Sequence, residues 1–388
     1  MLDLLTSENH RMRVLQVCSA RELGGGEKHL ADLANTLARR GHEVFAALSP
    51  ASPLVSELTT VPAHNILELP MRSALSVRGA LRLARFAREN SIGIIHAHVA
   101  RDYPLAALAA SRSGGIPLVL TRHVLFPLKK IDRLTLRRVA RVIAVSRAVA
   151  DSLRAQAIFE DRKLVVIHNG VDVEKFRRQR RERPSAETPG GEKQERLRVG
   201  SIGHLAPIKG HEDFIRAAAS VCAKRDDVDF IIAGEDKSRT GEHRRRLEKL
   251  IEELGVGPRV RLEGWVDNVA QLLSTLDVFV SSARAEPFGL AIIEAMAAAV
   301  PVIATSSEGA REIIEAAKTG CLIPIADAEA MAGAICELLD DRNLRERLGS
   351  NALRMVSDRF SLDRMVARTE QVYREVLGSD RAGAAVAD

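Results

Sequence analysis

Two α/β domains in series, each built on a parallel sheet, are what this sequence predicts, and three observations predict them. Short apolar runs alternate with helical stretches along the chain. The alternation breaks once, at a charged segment near the middle. It then restarts with the same strand and glycine turn. At 388 residues the chain also exceeds what one ordinary core accommodates.

The first run, "RVLQVCS", reads as a strand, followed by the Gly-rich turn "RELGGGEKH" and the amphipathic helix "LADLANTLARRGH". Further strands are expected at "EVFAALS", "IGIIHAHV", "PLVLTRH", "RVIAVS" and "LVVIHNG", with helical stretches such as "VRGALRLARFAREN" between them. Near-continuous apolar content marks strands covered on both faces, as in a parallel sheet. The segment "RRQRRERPSAETPGGEKQER" has charge, Pro and Gly but no apolar period, and reads as a solvated linker. Beyond it "LRVGSIG", "VDFIIAG", "RVRLEGW", "DVFVSS", "PVIATS" and "GCLIPI" are strand-like, and "ALRMVSDRFSLDRMVARTEQVYREVL" is helical and is expected to cross back to the first domain. The predicted boundaries are 1–176 for the first domain, 177–196 for the linker, 197–360 for the second domain and 361–388 for the returning helix and tail. Doubly wound domains of this kind bind ligands at the carboxyl ends of their strands, so a cleft between two facing domains is the expected ligand site.

Composition narrows the class. Hydrophobic residues at 46% and charged residues at 28% describe a soluble globular protein. No apolar run reaches membrane-spanning length, and "MLDLLTSENHRMR" lacks the apolar core of a signal peptide. Cys18, Cys222, Cys321 and Cys336 are scattered without metal-ligand spacing, as expected of thiols in a cytoplasmic protein. The net charge of +6 divides into +10 over residues 1–150 and −4 over the remainder. A basic first half suggests an anionic partner, namely a phospholipid surface, a phosphorylated acceptor or nucleic acid. Aromatic content of 3%, with one Trp and two Tyr, leaves little for base stacking and argues against nucleic acid.

The chemistry gathers in three stretches. "EPFGLAIIEAMAAAVPVIAT" is composed like protein interior yet carries Glu286 and Glu294. A carboxylate in dry surroundings needs a partner, and a ligand rich in hydroxyl groups satisfies both acids. Glu286 alone is also explained as an acid favoured just before a helix. "GGGEKH" follows the first strand and opens a helix, where amides approach a phosphate. It is neither a dinucleotide fingerprint nor a P-loop, so a plain tight turn is an equal reading. In "GSIGHLAPIKGHEDFIRAA", Lys209 stands at a helix start, a position disfavoured for a cation unless it shares an anion with the amides. The acids of "DVD", Asp227 and Asp229, fall at the amino end of a strand, away from where α/β sites form, so no protein-bound metal is expected.

With these residues the sequence resembles the retaining glycosyltransferases of family 4, called group 1, which have the GT-B fold. "EPFGLAIIEAMAAAVPVIAT" looks like that family's Glu-x7-Glu motif, and "GGGEKH", "IIHAHV", "LTRHVLF", "VIHNGVDVEKF" and "GHLAPIKGHEDF" match other landmarks in order. The resemblance implies that Glu286 contacts donor sugar hydroxyls and Glu294 the ribose. Lys209 would neutralise the donor diphosphate, assisted by amides of Phe288, Gly289 and Leu290 and by the Gly25–Gly26 loop. His123 matches a family histidine near the transferred sugar, while His98 and Asn169 match less specific landmarks. One departure is His204, where members often have an arginine, so diphosphate binding would rest more on Lys209.

What this implies is transfer of a hexose from a nucleotide diphosphate sugar to an acceptor hydroxyl with retention, metal-independent, in cell-envelope glycan or glycolipid synthesis. Protein placed in the cytoplasm, with peripheral contact at an anionic inner membrane face and a glycan or lipid-linked acceptor, fits the basic first domain. Two readings stand beside it. One is a nucleotide-sugar epimerase or phosphorylase on the same fold. The other is a basic module binding nucleic acid or anionic lipid regardless of Glu286 and Lys209.

Overall fold

Strand β1 (Arg13–Cys18) is buried at every residue after its first, because parallel strands have helices on both faces and their hydrogen-bonding edges filled by neighbours. The structure is a computed structural model and describes residues 11–71, 76–181, 196–238 and 240–384. The chain divides into two compact units, residues 1–168 with 365–388 and residues 169–364.

The first unit holds β1, β2 (Glu43–Leu48), β3 (Ile66–Glu68), β4 (Ile94–Ala97), β5 (Leu118–Arg122), β6 (Arg141–Ala144) and β7 (Leu164–Val166). They form one parallel sheet in the order β3-β2-β1-β4-β5-β6-β7. Every strand expected in this half is present. The three-residue β3 is an addition, too short to leave an apolar pattern. The order reverses between β1 and β4, and that is the switch point where a doubly wound sheet opens a crevice at its carboxyl edge.

The second unit repeats the plan with β8 (Leu197–Ile202), β9 (Val228–Ala233), β10 (Val260–Gly264), β11 (Val278–Ser281), β12 (Val302–Thr305) and β13 (Cys321–Ile323). Its parallel order is β10-β9-β8-β11-β12-β13, with the reversal between β8 and β11. Phe214, Phe230, Ile232, Val278, Val280 and Leu338 are among the side chains that fill the core between its sheet and helices.

Two expectations meet a different structure. Helix Val173–Arg181 runs into the segment read as linker from 177, while residues 182–195 of that segment lie outside the described residues. Arg180 of that helix ties to the carbonyls of Ser274 and Leu276 at 3.1 Å each, so the amphipathic turn packs rather than solvates. The sequence also predicts that "FPLKKIDRLTLRRVARVIAVS" carries its lysines and arginines on a helical stretch, whereas the segment before β6 is mostly loop, with a single helical turn at Asp132–Thr135.

The last helix, Leu362–Ala384, belongs to the first unit from Met365 onward. Its Tyr373 is fully buried there. Glu370 on the same helix takes His42 Nε2 at 3.0 Å and Arg40 at 3.1 Å. Among the described residues no helix is long and apolar enough to cross a membrane.

Candidate active site

At the switch point of the second sheet, the turns after β8 and β11 bring Lys209 and Glu286 together. Lys209 ends the turn Pro207–Lys209, its stem passing beside Gly203, and its ammonium donates to Glu286 Oε2 at 2.6 Å. The two side chains are 25% and 16% exposed, buried enough to strengthen the pair yet open to a ligand.

Backbone bonds hold this corner rigid. The Ser282 hydroxyl donates to the Lys209 carbonyl at 2.8 Å, and the Arg284 amide donates to the Ile208 carbonyl at 2.8 Å. Arg284 also grips Asp213 with contacts of 3.0–3.2 Å. Gly210, between Lys209 and helix His211–Cys222, has φ +65°, and a Cβ there would stand 2.0 Å from the Ser282 carbonyl oxygen. Only glycine meets both the left-handed backbone and that approach.

Glu286 leads into Pro287, Phe288 and Gly289, and Gly289 takes φ +112° to start helix Leu290–Ala297. Phe288 is buried against the Phe360 ring, centroids 5.8 Å apart, and the Gly309 amide donates to the Glu286 carbonyl at 2.8 Å. Glu294 is 4% exposed on that helix, with Ile292, Ile293, Ala295 and Met296 buried around it. His204 lies in the loop after β8, partly buried.

In the first unit Gly25 and Gly26 open helix Gly25–Arg39 after β1, and a Cβ on Gly26 would stand 3.4 Å from the His123 ring. His123 follows β5 directly, and His98 follows β4. Burial holds both imidazoles well below the usual histidine range, with the neighbouring histidines adding to the effect. The turn after β1 is fixed by Asp102 Oδ2, which accepts from the Ser19 amide at 2.7 Å, and by Arg101 on the Ser19 hydroxyl and carbonyl at 2.7 Å. Burial pushes the Asp102 carboxyl up to about 6 against those hydrogen bonds. Asn169, by contrast, is buried in the second unit.

Several neighbours escaped the sequence reading. His29 sits inside the quoted "GGGEKH", and its ring centroid is 4.9 Å from that of His123. Asp213, partner of Arg284, sits inside "GHEDF". Gln16 and Tyr373 join His98 and His96 through hydrogen bonds that no local pattern announces. The acids of "DVD" are spent on structure: Asp227 Oδ2 takes Arg225 at 2.8 Å and Asp229 Oδ1 takes Arg196 at 2.8 Å.

Comparison with known proteins supplies the family. The model for glycosyl transferases group 1 matches residues 182–355, and that for glycosyltransferase family 4 matches residues 23–175. N-acetyl-alpha-D-glucosaminyl L-malate synthase of Bacillus anthracis is 25% identical, over 93% of this chain and 96% of its own length. A lipopolysaccharide core biosynthesis mannosyltransferase of Rhizobium leguminosarum bv. viciae is 28% identical, over 93% and 96%. Two solved structures share the fold. A glycosyltransferase from Rickettsia africae has a TM-score of 0.80 at 24% identity, covering 95% of this chain and 99% of its own. The Anabaena protein HepE in complex with UDP-glucose has a TM-score of 0.77 at 23% identity, covering 95% and 100%. The two family models between them take in most of the chain, each falling on its own parallel sheet, and the chain belongs to the group 1, family 4 glycosyltransferases of GT-B fold.

Proposed function

We propose that this glycosyltransferase holds a nucleoside diphosphate hexose on its second unit through Lys209, Glu286 and Glu294. The observation that carries the reading is the Lys209–Glu286 contact of 2.6 Å at the β8/β11 switch point, beside the helix that buries Glu294. A lysine and a carboxylate held at the carboxyl edge of such a sheet suit a ligand that is anionic at one end and hydroxylated at the other.

In this reading the Lys209 ammonium and the amides of Phe288, Gly289 and Leu290 stabilise charge developing on the diphosphate as its bond to the anomeric carbon breaks. His204 and the Gly25–Gly26 loop assist. Glu286 accepts from sugar hydroxyls and Glu294 from ribose hydroxyls. The acceptor hydroxyl attacks on the leaving-group face, bonds to the anomeric carbon and passes its proton to a phosphate oxygen, so configuration is retained. His123 stays in the catalytic set. No divalent ion is assigned to the diphosphate, because an ammonium and a helix N-terminus supply the positive field.

The acceptor side is read from the first unit. Phe126, Ile131 and Leu134 are 69%, 58% and 70% exposed, and Lys129, Lys130 and Arg133 stand exposed between them. Arg122 and Ser152 hold the Phe126 and Leu125 carbonyls, and the Leu128 amide donates to Gln156 at 2.7 Å, so the loop is pinned from behind with its apolar tips outward. Helix Val77–Glu89 adds exposed Arg78, Arg82, Arg85 and Arg88 beside Val77 and Leu81. Basic and apolar side chains exposed together suit the boundary of an anionic bilayer. The Rhizobium leguminosarum relative named for lipopolysaccharide core biosynthesis supports the same reading. We therefore assign a glycan or lipid-linked acceptor presented at such a surface.

The test is a screen of nucleotide sugars for thermal stabilisation, followed by transfer in EDTA with the product anomer read by NMR. A stabilising donor, and a glycosylated acceptor of unchanged anomeric configuration, are expected. An inverted product, a released epimer, or full dependence on added manganese would overturn the mechanism.

A further inference from the structure

Three imidazoles from three separate segments converge at the carboxyl edge of the first sheet. His29 comes from the opening turns of helix Gly25–Arg39, His98 from the end of β4 and His123 from the end of β5. Their ring centroids form a near-even triangle with sides of 4.9, 5.9 and 5.9 Å. Each ring offers one nitrogen, and the three nitrogens lie within 4.8 Å of one another.

A separate observation concerns the lone pairs. His98 is 5% exposed, and its Nε2 lies 2.8 Å from Gln16 Oε1, an atom that can only accept. The Gln16 amide is oriented by its other end, where Nε2 donates to the Tyr373 hydroxyl at 3.4 Å. That hydroxyl is hydrogen-bonded to His96 Nδ1 at 2.6 Å, and His96 Nε2 to Thr121 Oγ1 at 2.7 Å. Facing Gln16 Oε1, His98 Nε2 is the nitrogen that carries the proton. His98 Nδ1 is left as a buried lone pair with no hydrogen-bond partner, and the buried Nε2 of His123 has none either. An imidazole whose far nitrogen is fixed by a carbonyl oxygen is the usual build of a metal ligand.

We propose that His29, His98 and His123 form a binding site for a single divalent transition-metal cation, zinc above all, with its fourth position open. Three nitrogens with no carboxylate exclude magnesium and calcium, which require oxygen ligands. Tetrahedral zinc at its usual bond lengths needs ligand nitrogens about 3.3 Å apart, which small rotations of the rings reach. The site is distinct from diphosphate neutralisation, since it contains neither Lys209 nor an acid. One consequence rests on the reading that His123 acts in catalysis: a cation on its lone pair stops transfer, and chelation restores it.

The experiment titrates metal-stripped, full-length protein with Co2+ and reads its visible ligand-field bands. One equivalent is expected to bind, to be displaced by Zn2+ and to be indifferent to Mg2+. His98→Ala and His123→Ala lose the bands, with circular dichroism confirming the fold. Gln16→Leu, which keeps all three ligands, weakens cobalt affinity about 10- to 100-fold. Absence of bands in the folded wild type, or unchanged affinity in the folded His98→Ala and His123→Ala proteins, overturns the site. Bands without inhibition of transfer by Zn2+ support the site and remove His123 from the catalytic set.

Discussion

Lys209 Nζ and Glu286 Oε2 lie 2.6 Å apart and join the turns that follow β8 and β11. The pair is coupled, so neither residue acts alone. Lys209→Ala removes a cation and leaves a largely buried carboxylate without it, and is expected to remove most transfer. Glu286→Gln keeps the shape and mainly slows turnover. A charged hydrogen bond contributes roughly 1.5–3 kcal/mol. In the double variant the losses in kcal/mol sum to less than the two single losses, because both single changes break one interaction. Steady-state kinetics on the three variants checks this, and strict additivity would show that the two residues serve independent steps.

Glu294 is predicted to act on binding. Glu294 is 4% exposed within helix Leu290–Ala297. Glu294→Gln is expected to weaken binding of the free nucleoside diphosphate by an amount corresponding to roughly 1.5–3 kcal/mol, with the fold intact. Isothermal titration with the donor's nucleotide measures it. Equal affinity in both proteins removes Glu294 from the ribose.

Stability should fall on mild acidification. His96, His98, His123 and His211 are all held below the usual histidine value, burial being the largest cause in each, and His211 is pushed down to about 3. The unfolded chain therefore binds more protons below pH about 6.5, so their stabilisation is complete above that pH and drains as the pH drops beneath it. Asp102, raised to about 6, works in the opposite sense between its ordinary value and 6, but it is one group against four. Thermal unfolding between roughly pH 7.5 and pH 5 should show Tm falling with acid, and His211→Asn should flatten the slope. A Tm that rises on acidification would mean these imidazoles are protonated in the fold.

Vesicle binding tests the basic face. The protein is expected to sediment with anionic vesicles at low salt and to be released as salt or neutral lipid increases, each basic residue near the bilayer contributing about 1 kcal/mol. Replacing Phe126 and Leu134 together by serine should cut sedimentation while leaving transfer to a soluble acceptor unchanged. Sedimentation that ignores both lipid charge and the two substitutions would reduce the patch to a solvated surface.

The sheets were legible because a strand enclosed on both faces is mostly apolar: Arg13–Cys18 is buried after its first residue and Val302–Thr305 throughout, with only Gln16 and Thr305 polar among those buried positions. Ile66–Glu68 was not, being three residues long and only partly covered. The loop around Phe126 misled because its recurring lysines and arginines suggested a helical stretch, whereas only Asp132–Thr135 is helical and Phe126, Ile131 and Leu134 face outward. Glu286, Glu294 and Lys209 showed in sequence as charges set in apolar or glycine-rich surroundings. The histidine cluster did not, because residues 29, 98 and 123 meet only after the order β1-β4-β5 is known.

Tyr373 sits near the end of the chain, yet its hydroxyl completes the hydrogen bonding of His96 and Gln16 in the unit the ribosome makes first. All of residues 169–364 are synthesised in between. Until the segment carrying Tyr373 is made, the hydroxyl that meets His96 and Gln16 is missing, and a buried polar group without its partner costs about 1–3 kcal/mol. Completing the core of the first unit is thus a matter of order in time, because it waits on a segment translated after the whole of residues 169–364.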